Sequence, residues 1–464
     1  MLFQSATFLI VFLGALLAAY FGVWWLSRGR VGAANFVLFL GSVAFYLWGE
    51  RFQGVLLLTS LIVNYGLGLL ASRKAKLATW MAVIFNLSLL VWYKYAGFVA
   101  GQFGITFSTP KTLPLAISFF TFQAMSYVFD VARGHVPAEK HFIRFGVFVF
   151  LFPHLIAGPI VRYQHLATSL RQRTVSVVQF ADGVQRFIFG LAKKLILADT
   201  FAVVADQAFG YTPGALGAGA AWLGVACYAL QVYFDFSGYS CMAIGLAKMF
   251  GFEFQENFQH PYIAQSLTEF WRRWHISMSS WFRDYLYIPL GGNRGGVAKT
   301  FRNLLVVFVL CGLWHGANWT FLVWGLLHGG VLILERFWLG KVIAKTWLPL
   351  RFVYTQLMLF MTWVIFRSEN MTQVAGYLEA LCRFAPAEIQ FVDLWSVKLA
   401  WLFPMGILCC LPVKDWLAGL RPVATGWWPS MARGVVAVAT LLVFWMSLSQ
   451  VVAGRHVPFI YFRF

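Results

Sequence analysis

The chain has 464 residues, of which 60% are hydrophobic, 19% aromatic and 11% charged, with a mean hydropathy of +0.71. So large an apolar excess leaves too little polar surface for a water-soluble globule, and intrinsic disorder requires the opposite composition. Lys and Arg number 36 against 17 Asp and Glu, a formal net charge of +19. In a polytopic membrane protein such an excess belongs in loops facing anionic lipid and the cytoplasm, and a nucleic-acid partner is not expected.

Thr7–Leu26 is a stretch of 20 residues without a charge, enough to cross about 30 Å of hydrocarbon as a helix. Nothing basic precedes it and no small-x-small cleavage site follows, so it reads as a retained first span. Further apolar runs lie near 33–48, 53–71, 78–98, 113–131, 145–161, 184–204, 217–247, 303–334, 347–366, 396–413 and 433–454. Some exceed one span and others fall short of it, which predicts about ten to twelve spans with re-entrant and interfacial pieces. Arg28 and Arg30 follow the first run, Arg73, Lys74 and Lys76 the third, and Arg133, Lys140 and Arg144 the fifth. The loops between, around Arg51 and over 101–112 with its single Lys111, are poor in cations. Alternation places the N-terminus outside and the basic clusters in the cytoplasm.

The six cysteines show no CxxC pairing and sit in or beside apolar runs, so they read as packed small residues, with no metal site and no disulfide framework. No Gly-rich phosphate loop, repeat or low-complexity linker appears, and residues 1–464 read as one integral membrane domain.

Polar groups inside apolar runs are costly unless they face a cavity or a partner, and three places carry them. In Gln231–Tyr239, QVYFDFSGY, Asp235 lies deep in a neutral run; a buried carboxylate paired with an Arg of another helix is the plain reading. In 259–292, Ser266 and Glu269 form an S-x-x-E helix start. Phe270, Trp274, Met278, Trp281 and Tyr285 then recur at three- and four-residue intervals as one aromatic face. Arg272, Arg273, His275, Arg283 and Asp284 make this stretch too polar to span. An interfacial anchor helix is the simple expectation, and a wall over an internal cavity with arginines for an anionic substrate is the alternative. In Cys311–Trp319, CGLWHGANW, His315 lies about twelve residues, or about 18 Å, into its run, near the bilayer middle. Gly312, Gly316 and Asn318 weaken the helix there, and backbone exposed at that depth needs a cavity lined by protein or water. Imidazole, with an ordinary pKa of about 6.5, can act as a neutral base near physiological pH. His328 falls on another helical face.

These residues carry a resemblance. Tyr233–Trp319 is similar to the membrane-bound O-acyltransferase family, in its bacterial branch that O-acetylates secreted polysaccharides such as alginate and cellulose. The matching text is DFSGYS at 235–240, ENFQHPYIAQSLTEFWRRWHISMSSWFRDYLYIPLGGNR at 256–294 and GLWHGANWTF at 312–321. PLAISFFTFQAMSYVFD (114–130), FPHLIAGPIVR (152–162), WVIFRSE (363–369) and PFIYFRF (458–464) also look like family signatures, with the core motif block at 233–330. His315 takes the place of the family's catalytic histidine and His275 that of its second polar position. Arg272, Arg273, Arg283, Asp284, Asn318 and Trp319 match the surrounding pattern. One position departs: the branch usually carries Asp after FSGYS, and here stands Cys241.

The resemblance implies an all-α polytopic fold, a ring of tilted helices around a central catalytic pore. It implies acetyl transfer from a cytoplasmic donor, acetyl-CoA as substrate and not as a bound cofactor, for O-acetylation of a secreted polysaccharide. Neutral His315 would act as general base, with an acetyl-imidazole relay as the less favoured variant. His275 would orient or protonate, Asn318 would donate to the oxyanion, and the Arg272, Arg273 and Arg283 group would hold phosphates or the lid. Membrane lipids, exopolysaccharide synthesis machinery and a periplasmic acetyltransferase of the SGNH-hydrolase type are the implied partners. A bacterial inner membrane is the implied location. The competing class is a non-enzymatic transporter of polysaccharide or lipid-linked sugar; transporters tend to carry internal repeats, and the 256–321 block has no second copy.

Overall fold

The computed structural model describes every residue except 1, 51–52, 106–113, 157, 414–415, 417–427, 455–457 and 461–464. The expectations for the loops at Arg51 and Lys111, and for the last four residues of the PFIYFRF signature, lie outside the described residues. Secondary structure among the described residues is helical apart from one isolated bridge, Leu216 with Ile389. The helices used below are α1 (Thr7–Leu26), α2 (Val31–Gly49), α3 (Gln53–Ala71), α4 (Ala75–Gln102), α5 (Ile117–Ala132), α6 (Phe142–Phe150) and α7 (Tyr163–Arg171). They continue with α8 (177–210), α9 (Ala218–Met249), α10 (Leu267–Arg273), α11 (Ile276–Phe282), α12 (Val297–His315) and α13 (Trp319–Lys345). The last are α14 (Leu348–Arg367), α15 (Met371–Leu381), α16 (Val397–Cys410) and α17 (Trp428–Val452).

Eight of the described helices are long and apolar enough to cross a membrane: α1 to α4, α12 to α14, and Gly434–Val452 of α17. The protein is a polytopic α-helical membrane protein. Runs that hydropathy alone counted as spans include pieces that break early. The 145–161 run forms α6 and then a single turn, Phe152–Leu155, and the 303–334 run is two helices. Pro153 lacks an N–H to continue α6, and it sits in the first turn of the short helix, where that loss costs nothing.

The chain divides into two compact units, Met1–Phe187 with Tyr239–Glu256, and Ile188–Gly238 with Asn257–Phe464. In the first unit, helices without charged faces are tied by amides. Asn64 and Asn86 donate to each other's side-chain carbonyl at 3.2 and 2.9 Å, joining α3 to α4. Such pairing satisfies groups that lipid cannot solvate. Arg173 is buried; it donates to Asn35 at 2.5 Å and to the Tyr20 hydroxyl at 3.1 Å, and stacks 4.4 Å from the Phe252 ring. Beside Cys241, Arg186 pairs with Glu256 at 2.5 Å. The arginine beside the departure from the family pattern therefore takes its carboxylate from another stretch of chain.

Glu139, between α5 and α6, is the acidic hub of the first unit. It accepts from the Tyr163 hydroxyl at 2.6 Å and the His141 N–H at 3.0 Å, with Arg171 at 3.3 Å and Arg144 at 3.8 Å. Burial works against its charge, but the tyrosine and backbone donors and the two guanidinium groups outweigh it and hold the carboxyl below its ordinary value. Because the folded pKa is the lower one, this stabilisation is fully present above the unfolded value of about 4.3 and fades as pH falls through the folded value. Glu139→Gln is expected to lower stability at pH 7 by about 1–3 kcal/mol. It should also flatten the loss between pH 5 and pH 3, as read by thermal unfolding in detergent. A variant with wild-type acid sensitivity would remove Glu139 from this role.

Candidate active site

The second unit brings the predicted histidines together. Helices α12 and α13 form a hairpin whose closest approach is at two glycines. A Cβ on Gly312 would lie 2.2 Å from the Phe321 carbonyl oxygen, and one on Gly325 2.3 Å from that of Phe308. Only glycine permits this contact. α12 ends at His315, Gly316 is extended with φ −168°, and α13 restarts behind the Asn318 cap. The sequence placed His315 about twelve residues into a continuous run. Instead it is the last residue of a helix that begins six residues earlier, about 27 Å along its axis.

His315 is 5% exposed in an aromatic cage, its ring centroid 5.1 Å from both Trp324 and Phe366 and 5.0 Å from Trp314. The Trp324 indole N–H is buried and has no hydrogen-bond partner among the described residues. Buried indoles ordinarily find a partner, so this is a donor held in reserve beside the imidazole. The Asn318 Oδ1 accepts from the Thr320 N–H at 3.2 Å, and its Nδ2 donates to the Glu369 carbonyl at 2.8 Å. It fixes the restart of α13. Trp319 points away from the packed interior, half exposed. His328 is buried on the same helix as Trp324; its Nδ1 accepts from the Trp271 indole at 3.2 Å, which puts its proton on Nε2.

His275 is held by a residue that sequence reading missed. The Ser277 backbone N–H donates to Asn257 Oδ1 at 3.1 Å, which fixes the direction of that amide. His275 Nδ1, 3.2 Å from the same oxygen, must then be the protonated nitrogen. This leaves Nε2 as a bare acceptor, buried and without a partner among the described residues. His275 is fully buried in the left-handed region with φ 44°. A bulky residue adopts that backbone only when its surroundings impose it. Burial lowers the imidazole pKa to about 3, so it is neutral at physiological pH. The Trp314 ring lies 6.1 Å from His275 and 5.0 Å from His315, next to both imidazoles.

The 259–292 stretch departs from its simple expectation. Ser266 does cap α10 through the Glu269 N–H at 3.0 Å, but the Glu269 carboxylate takes the Gln265 N–H in place of that of the cap. The helix stops before the left-handed His275 and restarts as α11. Phe270, Trp274, Met278, Trp281 and Tyr285 are all buried. This aromatic face is therefore a wall inside the second unit. Of the arginines, Arg273 pairs with Glu269 at 2.8 Å, and Arg283 is bidentate with Asp284 at 2.6 and 3.0 Å. Arg272 is exposed and lines a cavity of about 490 Å³ with Arg336 and Arg351, neither of which the sequence reading singled out. Asp235, expected to meet an arginine, has a lysine beside it among the described residues. This is Lys194 of α8, 3.0 Å away, which also contacts Asp199 at 2.7 Å. Among the described residues no cluster of His, Cys, Asp and Glu has the arrangement of a metal site.

The family model of the membrane-bound O-acyltransferases matches residues 135–372, which contain both imidazoles and the hairpin. The chain belongs to the membrane-bound O-acyltransferase family. It is 38% identical to the probable alginate O-acetylase AlgI of Azotobacter vinelandii over the full length of both chains. It is 44% identical to the protein of that name in Pseudomonas aeruginosa, over 83% of this chain and 75% of that one. Against the peptidoglycan O-acetyltransferase of Helicobacter pylori the identity is 33%, over 82% and 80%. The protein is thus a membrane O-acyltransferase, and the matched region includes a buried histidine at a helix break.

Asn257→Ala is expected to lower acyl transfer about 5- to 100-fold, by releasing the His275 tautomer, while the amount of protein in the membrane stays normal. Because the His275 pKa lies far below the working range, the profile of activity against pH should show no His275 step between pH 5 and 8. A step there that vanishes in His275→Gln would overturn the neutral assignment.

Proposed function

We propose that this acyltransferase moves an acetyl group from a cytoplasmic thioester, acetyl-CoA, across the bacterial inner membrane for O-acetylation of an alginate-type exopolysaccharide. The observation that carries the reading is His315, buried where a helix ends, in a chain whose full-length relative bears the name alginate O-acetylase. A whole polyanionic donor cannot cross hydrocarbon, whereas an acetyl group handed over at a buried imidazole can. His315 takes the proton of the acceptor hydroxyl as its oxygen attacks the acetyl carbonyl. The oxyanion so formed receives the Trp324 N–H, a buried donor beside the imidazole with no partner among the described residues. Collapse expels the thiolate, which leaves with the proton from His315. His275, neutral and with its Nε2 bare, orients the acceptor. Arg272, Arg336 and Arg351 supply positive charge for the donor's phosphates. The acceptor of the acetyl group is a periplasmic acetyltransferase of the SGNH-hydrolase type, which modifies the polymer. The N-terminus faces the periplasm, as the basic clusters after α1, α3 and α5 favour.

His315→Ala in native membranes is expected to lower polymer acetylation, read by NMR of the secreted polysaccharide, by about 100-fold or more at normal protein level. Wild-type acetylation would remove the catalytic assignment. Ala317→Cys, in a background lacking the other exposed thiols, is expected to react with membrane-impermeant thiol reagents from either face. Labelling from one face alone would replace the two-sided pore with a one-sided site.

A further inference from the structure

Asp235 is buried with Asp199 and Lys194. A buried carboxylate is held by the donors that reach it. One of them is the backbone: the Ile460 N–H donates to Asp235 Oδ2 at 2.8 Å. The segment carrying it is buried too, with Phe459 and Ile460 at 0% and 1% exposure. The neighbour of Asp235 on α9, Phe236, has its ring 5.9 Å from Phe459 on one side and 4.7 Å from the His275 imidazole on another, nearly perpendicular to it. Ion cluster, terminal segment and second histidine are thus joined by adjacent contacts through two consecutive residues.

We infer that Asp235 is an anchor that fastens the 458–460 segment, and that the fastened segment positions His275 through Phe459 and Phe236. Asp235 and Phe459 are positioning residues that touch neither donor nor acceptor. The catalytic half of this inference rests on the acyl-transfer reading above, and the anchoring half does not. Asp235→Asn keeps an acceptor for the Ile460 N–H.

The test uses the full-length protein, in native membranes for acetylation and in detergent for exchange. Ile460→Pro, which deletes the donated N–H, and Phe459→Ala are each expected to lower acetylation about tenfold at unchanged protein level. Phe459→Leu is expected to recover part of the loss. Once His275 is replaced by Gln, Phe459→Ala should cost less than about twofold more, because its route is already cut. Full activity of both single variants, or losses that multiply independently of His275, would overturn the positioning role. Where His275→Gln leaves no measurable activity, amide hydrogen exchange decides. Asp235→Ala is expected to speed exchange at Ile460 at least about tenfold with α16 unchanged, and Asp235→Asn to restore protection. Unaltered exchange at Ile460 would remove the anchor whatever the activity data show. Activity retained in His315→Ala would instead remove the catalytic reading and leave the anchor standing.

Discussion

The contact between Gly312 and Gly325 is the constraint from which the site follows. Two helices in an apolar medium gain nothing by hiding hydrophobic surface from each other, so they associate through close packing and shared polar groups. Here the backbones come so near that a single methyl group would strike a carbonyl oxygen. That approach carries Trp324, the residue before Gly325, to the last residue of the facing helix. His315 is thereby caged by rings and lies beside an indole donor. Asn318 and the Glu369 carbonyl then fix where the second helix begins again.

A second regularity runs through both units: a polar group in the interior is held by a partner distant in the chain. The amide clasp of Asn64 and Asn86, the Arg173 contacts with Tyr20 and Asn35, the Glu139 hub and the Lys194–Asp235 pair are all of this kind. In water such pairs add little stability. Away from water, the cost of an unmatched partner makes each of them decisive for which helices meet. An apolar sequence therefore specifies its fold largely through its few polar residues.

The long helices were legible because twenty apolar residues allow few alternatives, and the break after His315 was announced by Gly312, Gly316 and Asn318. The Ser266 cap was legible for the same local reason. The break at His275 was not: the aromatic periodicity runs through it undisturbed, since residues on both sides face one core. Asn257, Lys194, Arg336 and Arg351 were invisible because their roles depend on pairing between distant segments, which no local pattern encodes. Arg273 and Arg283 each meet a carboxylate close by in the sequence, Glu269 and Asp284.

The left-handed backbone at His275 has an evolutionary consequence. At φ 44° glycine would sit without strain, and asparagine at small cost, so a lineage selected only for a sturdier protein would drift toward one of them. A buried imidazole there is the more expensive choice in both backbone and burial. On the proposed reading of His275, the reaction and not the scaffold is what offsets that cost. In a descendant that has abandoned the chemistry, this is the residue whose replacement the fold would welcome first.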